Sequence, residues 1–342
     1  MFLKNCWYVA AWESELADRE PIARRILGEP IVLFRTGEDM VAAMADRCPH
    51  RRAPLSMGRV EEGGIRCMYH GLRFDLAGQC IEVPGSDVVP PNCTVRVYPV
   101  HRQDDWIWVW MGDPALADTA LVPKAFGLSN PAYEMRAGQI DYAANYMLIN
   151  DNLCDLSHLD FTHETTLGLA TGPGWSASTP RIQMLDRGIR MERWFVGWPK
   201  SPRNPEPVDN WTTYDYLAPG VFLMENRSYP PGHAERSDFG APEGEPFTYR
   251  VEQQAVTPLS ATETRYFFAT GMDARMPAQL LEPIFEVVNA AFAEDRAIIE
   301  GQQRIWDMMP DDDDPMAFIA HDKGPAMFRR VMDRLIRESA TG

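Results

Sequence analysis

The chain has 342 residues, with 33 Lys and Arg against 49 Asp and Glu and a formal net charge of −16. That length accommodates two domains with separate apolar cores, and the acidic balance excludes bulk-charge binding to nucleic acid or an anionic membrane, while leaving room for a small anion in a locally basic pocket. No apolar run approaches the ~18 residues a bilayer demands and residues 1–12 lack a long apolar core, so the expected location is the cytoplasm. Six cysteines in a chain of this size do not make a disulfide scaffold.

Residues 1–112 read as an all-β domain. Strands are expected at 31–35, 41–45, 65–69, 95–100 and 106–110, with turns at Gly37, Gly63-Gly64, Gly78 and Pro90-Pro91. Within this domain Cys48-Pro49-His50 is followed, sixteen residues later, by Cys67-Met68-Tyr69-His70. Each half sets one thiolate and one imidazole at a loop tip. Structural zinc accepts two Cys and two His, but zinc fingers bring the cysteines as one pair and the histidines as another. A Rieske [2Fe-2S] cluster has one iron on two cysteines and the other on two histidines, and two mixed loops suit it directly. Residues 5–12, Arg51-Arg52 and Pro84-Gly85 would then shield the cluster. Cys6, Cys80, Cys93 and Cys154 read as reduced packing residues. Gly112 and Pro114 stop the last strand, and 113–123 reads as a linker.

Residues 124–342 read as an α+β domain. Its centre is the stretch from Asp151 to His163, which holds three carboxylates and two histidines. At ~100° per residue, Asp151, Asn152, Asp155 and His158 share about a third of the helix circumference, and Tyr146, Ile149, Leu153 and Leu156 fill a neighbouring arc. His158 and His163 are five apart, not the four that align two ligands on a helix, so the helix must end or unwind for both rings to converge. Two imidazoles need a carboxylate to complete the facial triad of a non-haem Fe(II) site. A long helix expected over 283–306 offers Asp295 at the centre of a stripe formed by Ile284, Phe285, Val288, Phe292, Ile299 and Trp306, with Glu294 on its shoulder. A buried Asp held by an Arg or by backbone donors is the alternative.

Further strands are expected at 181–196, 211–226, 247–257 and 264–270, forming an antiparallel sheet against the helices from Pro283 and Pro325. Asn226, Arg250 and Gln254 lie on these strands as possible substrate contacts, on a face the alternation does not settle. The patternless segments 164–179 and 229–246 are long enough to suggest function, and the first directly follows His163. The acidic run 311–314 reads as a solvated loop. His101, His233 and His321 stand alone and read as surface or core residues.

Cys48-x-His50 and Cys67-x-x-His70, followed by Asn152-x-x-Asp155-x-x-His158-x-x-x-x-His163, resemble the Rieske non-haem iron oxygenases. More closely, Asn5 to Ala11, Cys48-Pro49-His50-Arg51-x-Ala53-Pro54-Leu55, Tyr69-His70-Gly71-Leu72, Met111-Gly112-Asp113-Pro114 and Asp151-Asn152-Leu153 are similar to the vanillate O-demethylase oxygenases and the related dicamba and toluenesulfonate monooxygenases. The resemblance implies a catalytic domain of the helix-grip type. It makes Cys48, His50, Cys67 and His70 the cluster ligands and His158, His163 and Asp295 the iron ligands. Asp155 becomes a bridge between the two centres, with Asn152 supporting the iron. It also implies a head-to-tail homotrimer in which the cluster of one subunit serves the iron of the next. Arg51 and Met68 stand where respiratory Rieske proteins carry an extra cysteine pair.

The chain has neither a Gly-rich dinucleotide loop nor plant-type cluster spacing, so NADH acts through a separate flavin and iron-sulfur reductase. The expected activity is O2-dependent hydroxylation of a methyl carbon on a small aromatic acid, foremost O-demethylation of a vanillate-like methoxybenzoate. Its rival is benzylic hydroxylation of an aryl sulfonate or carboxylate. A zinc-stabilised binding protein and a pure Rieske electron carrier are the readings from other classes.

Overall fold

Indoles and β-branched residues alternate through Trp106–Met111, and such a strand buries both faces only at the middle of a small β domain. In the computed structural model, which describes residues 1–37, 40–167, 174–201, 204–309 and 316–341, that strand is buried along its whole length. The acidic run 311–314 lies outside the described residues. The chain divides into two units, Met1–Gly127 with Thr257–Ala261, and Leu128–Val256 with Thr262–Gly342.

In the first unit the strands are β1 (Cys6–Trp12), β2 (Ile22–Ile26), β3 (Glu29–Arg35), β4 (Val41–Ala45), β5 (Arg59–Glu61), β6 (Gly64–Arg66), β7 (Arg73–Asp75), β8 (Cys80–Glu82), β9 (Val97–Tyr98), β10 (Val100–Gln103) and β11 (Trp106–Met111). They form sheets in the orders β1-β11-β10, β2-β3-β4-β9 and β5-β6-β7-β8. Three expectations change. Residues 6–12, expected only to shield a cluster, are a buried strand paired from Cys6↔Met111 to Trp12↔Trp106. The strand expected at 65–69 ends at Arg66, because Cys67 turns the chain into a loop. The strand expected at 95–100 is divided at Pro99, which has no N–H for a ladder. Within 113–123, two single-turn 3-10 helices are capped by Asp113 and Asp118, and Trp7 Nε1 donates to the Asp118 carbonyl at 2.8 Å.

The second unit holds β12 (Tyr133–Tyr142), α1 (Tyr146–Cys154), α2 (Leu159–Thr162), β13 (Arg181–Leu185), β14 (Gly188–Ser201), β15 (Asn204–Leu217), β16 (Val221–Tyr229), α3 (His233–Arg236), β17 (Thr248–Pro258), β18 (Thr264–Asp273), α4 (Leu281–Met308) and α5 (Lys323–Thr341). Its antiparallel sheet runs β12-β18-β17-β16-β15-β14-β13. The strand expected at 211–226 is in fact a hairpin, split at the Pro219-Gly220 turn, with Leu217 paired to Val221.

One sheet face meets the helices. Phe292 of α4 contacts the rings of Tyr266 and Phe268, and Phe328 of α5 contacts Tyr216. Val288, Ala291, Phe292, Asp295, Ile299 and Gln303 form the buried stripe of α4, whereas Trp306 is exposed. Cross-strand register places Arg193, Thr212, Asn226 and Arg250 in one row of that face, and Met191, Tyr214, Met224 and Glu252 in the next. Asn226, Arg250 and Gln254 therefore share the helix-side face. The opposite face is covered by part of 229–246: Ala234 packs among Trp194, Trp211 and Tyr229, while the buried Asp209 accepts from the amides of Gly197 and Ala234.

Candidate metal centres

The two Cys/His loops of the first unit share one backbone design. The Cys48 amide donates to the Ala53 carbonyl and the Arg52 amide to the Cys48 carbonyl, and Cys67, Leu72 and Gly71 repeat this arrangement at matching positions. The fourth residue after each cysteine is left-handed, Arg52 at φ 57° and Gly71 at φ 77°. A left-handed residue is what turns the chain sharply enough to bring the histidine back beside its cysteine. Glycine takes that conformation freely; Arg52 is held in it by the loop's two hydrogen bonds. The loops face one another. The His50 and His70 rings are 4.5 Å apart between centroids, and the Cys48 and Cys67 thiols are close enough to hydrogen-bond.

Both cysteines are buried and both histidines exposed. Burial, with Cys67 alongside, pushes the Cys48 thiol up to about 11. A thiolate there requires a cation, and the two buried sulfurs beside two exposed imidazoles fit the two irons of a Rieske cluster.

In the second unit, α1 starts at its Asn145 cap and ends at Cys154. Asp155 then adopts extended backbone, φ −134°, and its carboxylate accepts from the Ser157 amide at 2.8 Å and the Ser157 hydroxyl at 3.0 Å. The expectation that Asp151, Asn152, Asp155 and His158 share one helical face is corrected by this break. Asp151 instead pairs with Arg329 of α5, at 2.9 Å for Nε. His158 Nδ1 meets the backbone carbonyl of Asp155 at 2.5 Å, not its carboxylate.

The same break lets the two histidines converge. His158, His163 and Asp295 each offer one ligand atom within 4.8 Å of the others. Asp295 Oδ1 lies 3.5 Å from His158 Nε2 and 3.3 Å from His163 Nε2, and Asn152 Nδ2 donates to it at 3.1 Å. The outward nitrogen of His163 contacts Glu294 Oε2 at 2.8 Å, and the hydroxyls of Thr165 and Thr166 donate to the same carboxylate. Both Nδ1 atoms thus face an oxygen, which turns both Nε2 atoms toward Asp295 and a metal placed there, with Asn152 Nδ2 3.3 Å from that of His158.

The electrostatics favour a cation. Asp295 is 4% exposed, and its partners are Asn152, His158 and His163, with no Lys or Arg among the described residues paired to it. Burial lowers the pKa of His158, keeping it a neutral ligand. Burial also acts to lower His163, but the hydrogen bonds and charges of Asp295 and Glu294 outweigh it and raise the net value. Two imidazoles and a buried carboxylate fit Fe(II) with positions left open. Sequence reasoning missed Glu294 as the support of His163, a pairing across 131 positions that no local pattern carries. It also missed Glu252, a carboxyl at the middle of the sheet's helix-side face.

Of segment 164–179, residues 168–173 lie outside the described residues. The Asp160 carboxylate accepts from the amides of Trp175 and Ser176, and Trp175 lies against the guanidinium of the buried Arg193.

Residues 6–99 match the family described as Rieske [2Fe-2S] domain, and residues 142–338 match the vanillate O-demethylase oxygenase C-terminal domain. The toluene-4-sulfonate monooxygenase system iron-sulfur subunit of Comamonas testosteroni is 35% identical, over 100% of this chain and 99% of its own. A vanillate O-demethylase oxygenase subunit of Pseudomonas sp. (strain HR199 / DSM 7063) is 33% identical, over 98% and 95%. The crystal structure of dicamba monooxygenase with non-heme iron and dicamba superposes with a TM-score of 0.80 at 28% identity, covering 99% of both chains.

Proposed function

We propose that this chain, which belongs to the Rieske non-haem iron oxygenases with a vanillate O-demethylase-type catalytic domain, hydroxylates a methyl carbon of a small aromatic acid, foremost the methoxy carbon of a vanillate-like methoxybenzoate. It is the oxygenase component of a Rieske monooxygenase, carries a [2Fe-2S] cluster and Fe(II), and works with a separate reductase. The carrying observation is the convergence of His158, His163 and Asp295 from two helical segments onto one point.

Cys48, His50, Cys67 and His70 hold the cluster, and His158, His163 and Asp295 hold the iron. When bound, the iron supplies activation of O2 with two electrons delivered through the cluster. The protein side chains do the positioning. The Asp155 carbonyl and Glu294 fix the ring orientation of the two histidines, Asn152 donates to the ligating oxygen of Asp295, and the rings of Tyr266 and Phe292 keep water from that end of α4. The overall change takes Ar–O–CH3, O2, two electrons and two protons to Ar–O–CH2OH and water. The hemiacetal then falls apart to a phenol and formaldehyde.

Asp155 bridges the centres between subunits of a homotrimer in the cytoplasm. Supporting that assembly, Met57, Met68, Tyr69 and Val88 of the first unit and Ile298, Ile305 and Trp306 of α4 are exposed apolar side chains, and a head-to-tail ring buries two different patches. No helix is long and apolar enough to cross a membrane among the described residues.

Benzylic hydroxylation of an aryl sulfonate is the second reading, favoured by the 35% identity to the toluenesulfonate protein along the whole chain. The binding-protein and electron-carrier alternatives fall with family membership. The purified oxygenase, supplied with a reductase, NADH and O2, is expected to release formaldehyde and a phenol from methoxybenzoates. Benzylic alcohol from methylated sulfonates with no formaldehyde establishes the second reading, and turnover of neither set defeats both.

A further inference from the structure

Glu252 is 8% exposed, and its Oε1 accepts from the Thr270 hydroxyl at 2.5 Å. Its Oε2 is buried with no hydrogen-bond partner. A buried carboxyl oxygen without a partner costs several kcal/mol and calls for an explanation in terms of what occupies the space beside it. The space belongs to the sheet face that α4 covers. Tyr266, whose ring meets Phe292 one helical turn before Asp295, feels the charges of both Asp295 and Glu252.

Two residues earlier on the same face, Arg250 is exposed and has neither a hydrogen bond nor an ion pair among the described residues, although its charge acts on Glu252. Alternate residues of a strand are about 7 Å apart along it. That is roughly the span between an acid group and a hydroxyl at opposite positions of one benzene ring.

We propose that Arg250 and Glu252 together recognise an aromatic acid that also carries a ring hydroxyl, Arg250 taking the carboxylate or sulfonate and Glu252 Oε2 accepting the hydroxyl proton. The proposal rests on the methyl-hydroxylase reading above and narrows its substrate class. Burial pushes Glu252 up to about 7, so a bond from a phenolic donor favours the ionised form, which apolar surroundings alone disfavour. Gln254, on the other side of Glu252 along the strand, accepts from the Tyr266 hydroxyl through its oxygen, while its amide lies near Glu252 and acts to lower that group's pKa. Asn226, opposite Arg250, is engaged by Thr212. Glu252 Oε2 in one row and the guanidinium of Arg250 in the other stay open to a ligand, and the buried Arg193 Nε at the far end of the Arg250 row is unpartnered as well.

Calorimetric titration of the oxidised holoenzyme tests this with 4-hydroxy-3-methoxybenzoate against 3-methoxybenzoate. A site built for a hydroxyl rejects the analogue without it, and the hydroxylated acid is expected to bind about tenfold or more tightly. Glu252→Leu collapses that ratio to about one while leaving the hydroxyl-free acid unaffected. Glu252→Gln, the milder change, lies between. Arg250→Leu weakens both acids alike and keeps the ratio. An unchanged ratio in Glu252→Leu or Glu252→Gln overturns the proposal and leaves a trapped water as the partner of Oε2.

The same comparison with 4-hydroxy-3-methylbenzenesulfonate and 3-methylbenzenesulfonate separates the two levels. Binding of sulfonates alone defeats the methoxybenzoate reading, and the hydroxyl ratio in that series then decides for or against Glu252. Binding of neither series overturns both.

Discussion

Asp295 and Glu294 are neighbours on one helix and take different partners. The helical phase in the sequence places Asp295 in the buried stripe and Glu294 on its shoulder, and in the structure the first meets both imidazole Nε2 atoms while the second meets His163 Nδ1 and the hydroxyls of Thr165 and Thr166. Asp295→Ala is therefore expected to abolish tight iron binding at the mononuclear site. Glu294→Gln, which keeps the shape but weakens the acceptor, should lower Fe(II) affinity about 10- to 100-fold, as loss of a carboxylate behind a ligating histidine does. Iron retained per chain during chelator titration, with the cluster absorption as internal reference, measures both. The assignment is wrong if Glu294→Ala empties the site and Asp295→Ala does not. What the sequence hides at this scale is direction: Asp155 is expected on one face with His158, yet its carboxylate turns to Ser157 and only its backbone carbonyl reaches the ring.

Among elements, those with strong periodicity are legible and those with half-exposed alternation are not. The long helix of the catalytic domain differs from its expected bounds by two residues at each end, Leu281–Met308 against 283–306. β12 escapes because Tyr133–Tyr142 alternates half-buried with exposed residues and carries Gly138 against the ring of Phe268. The hairpin of β15 and β16 is hidden inside one apparent strand, although Pro219-Gly220 is the turn signal that divides it.

Glu252 gives β17 a measurable pH signature. Its folded-state pKa of about 7 lies above the ordinary 4.5, so its contribution to stability is fully present below about pH 4.5 and is lost as pH rises through about 7. That rise corresponds to roughly 3 kcal/mol at 1.36 kcal/mol per pKa unit. Glu252→Gln should be no more stable than the wild type at pH 4.5 and should gain on it steadily up to pH 8. Thermal melts of both proteins across that range provide the comparison, and parallel curves would place the carboxyl in water.

For the whole molecule, the assembly proposed above has each cluster serving the iron of the next subunit. A Cys48→Ser chain is expected to lose the cluster and an Asp295→Ala chain the iron, so each alone should be inactive. Co-expressed with different tags and purified through both, they form mixed rings in which an intact iron can follow an intact cluster. Every mixed ring of three, whichever its ratio, holds one iron-bearing chain that follows a cluster-bearing chain, so rings purified through both tags give roughly a third of the wild-type turnover per chain. Asp155 refines the test. As the acid beside His158, it acts on the iron side, so Asp155→Asn added to the Cys48→Ser chain should remove the recovered turnover, whereas the same change in the Asp295→Ala chain should leave it. Recovery that depends equally on either copy of Asp155 would remove it from the electron path. Verified mixed rings with no turnover would confine electron transfer to a single chain.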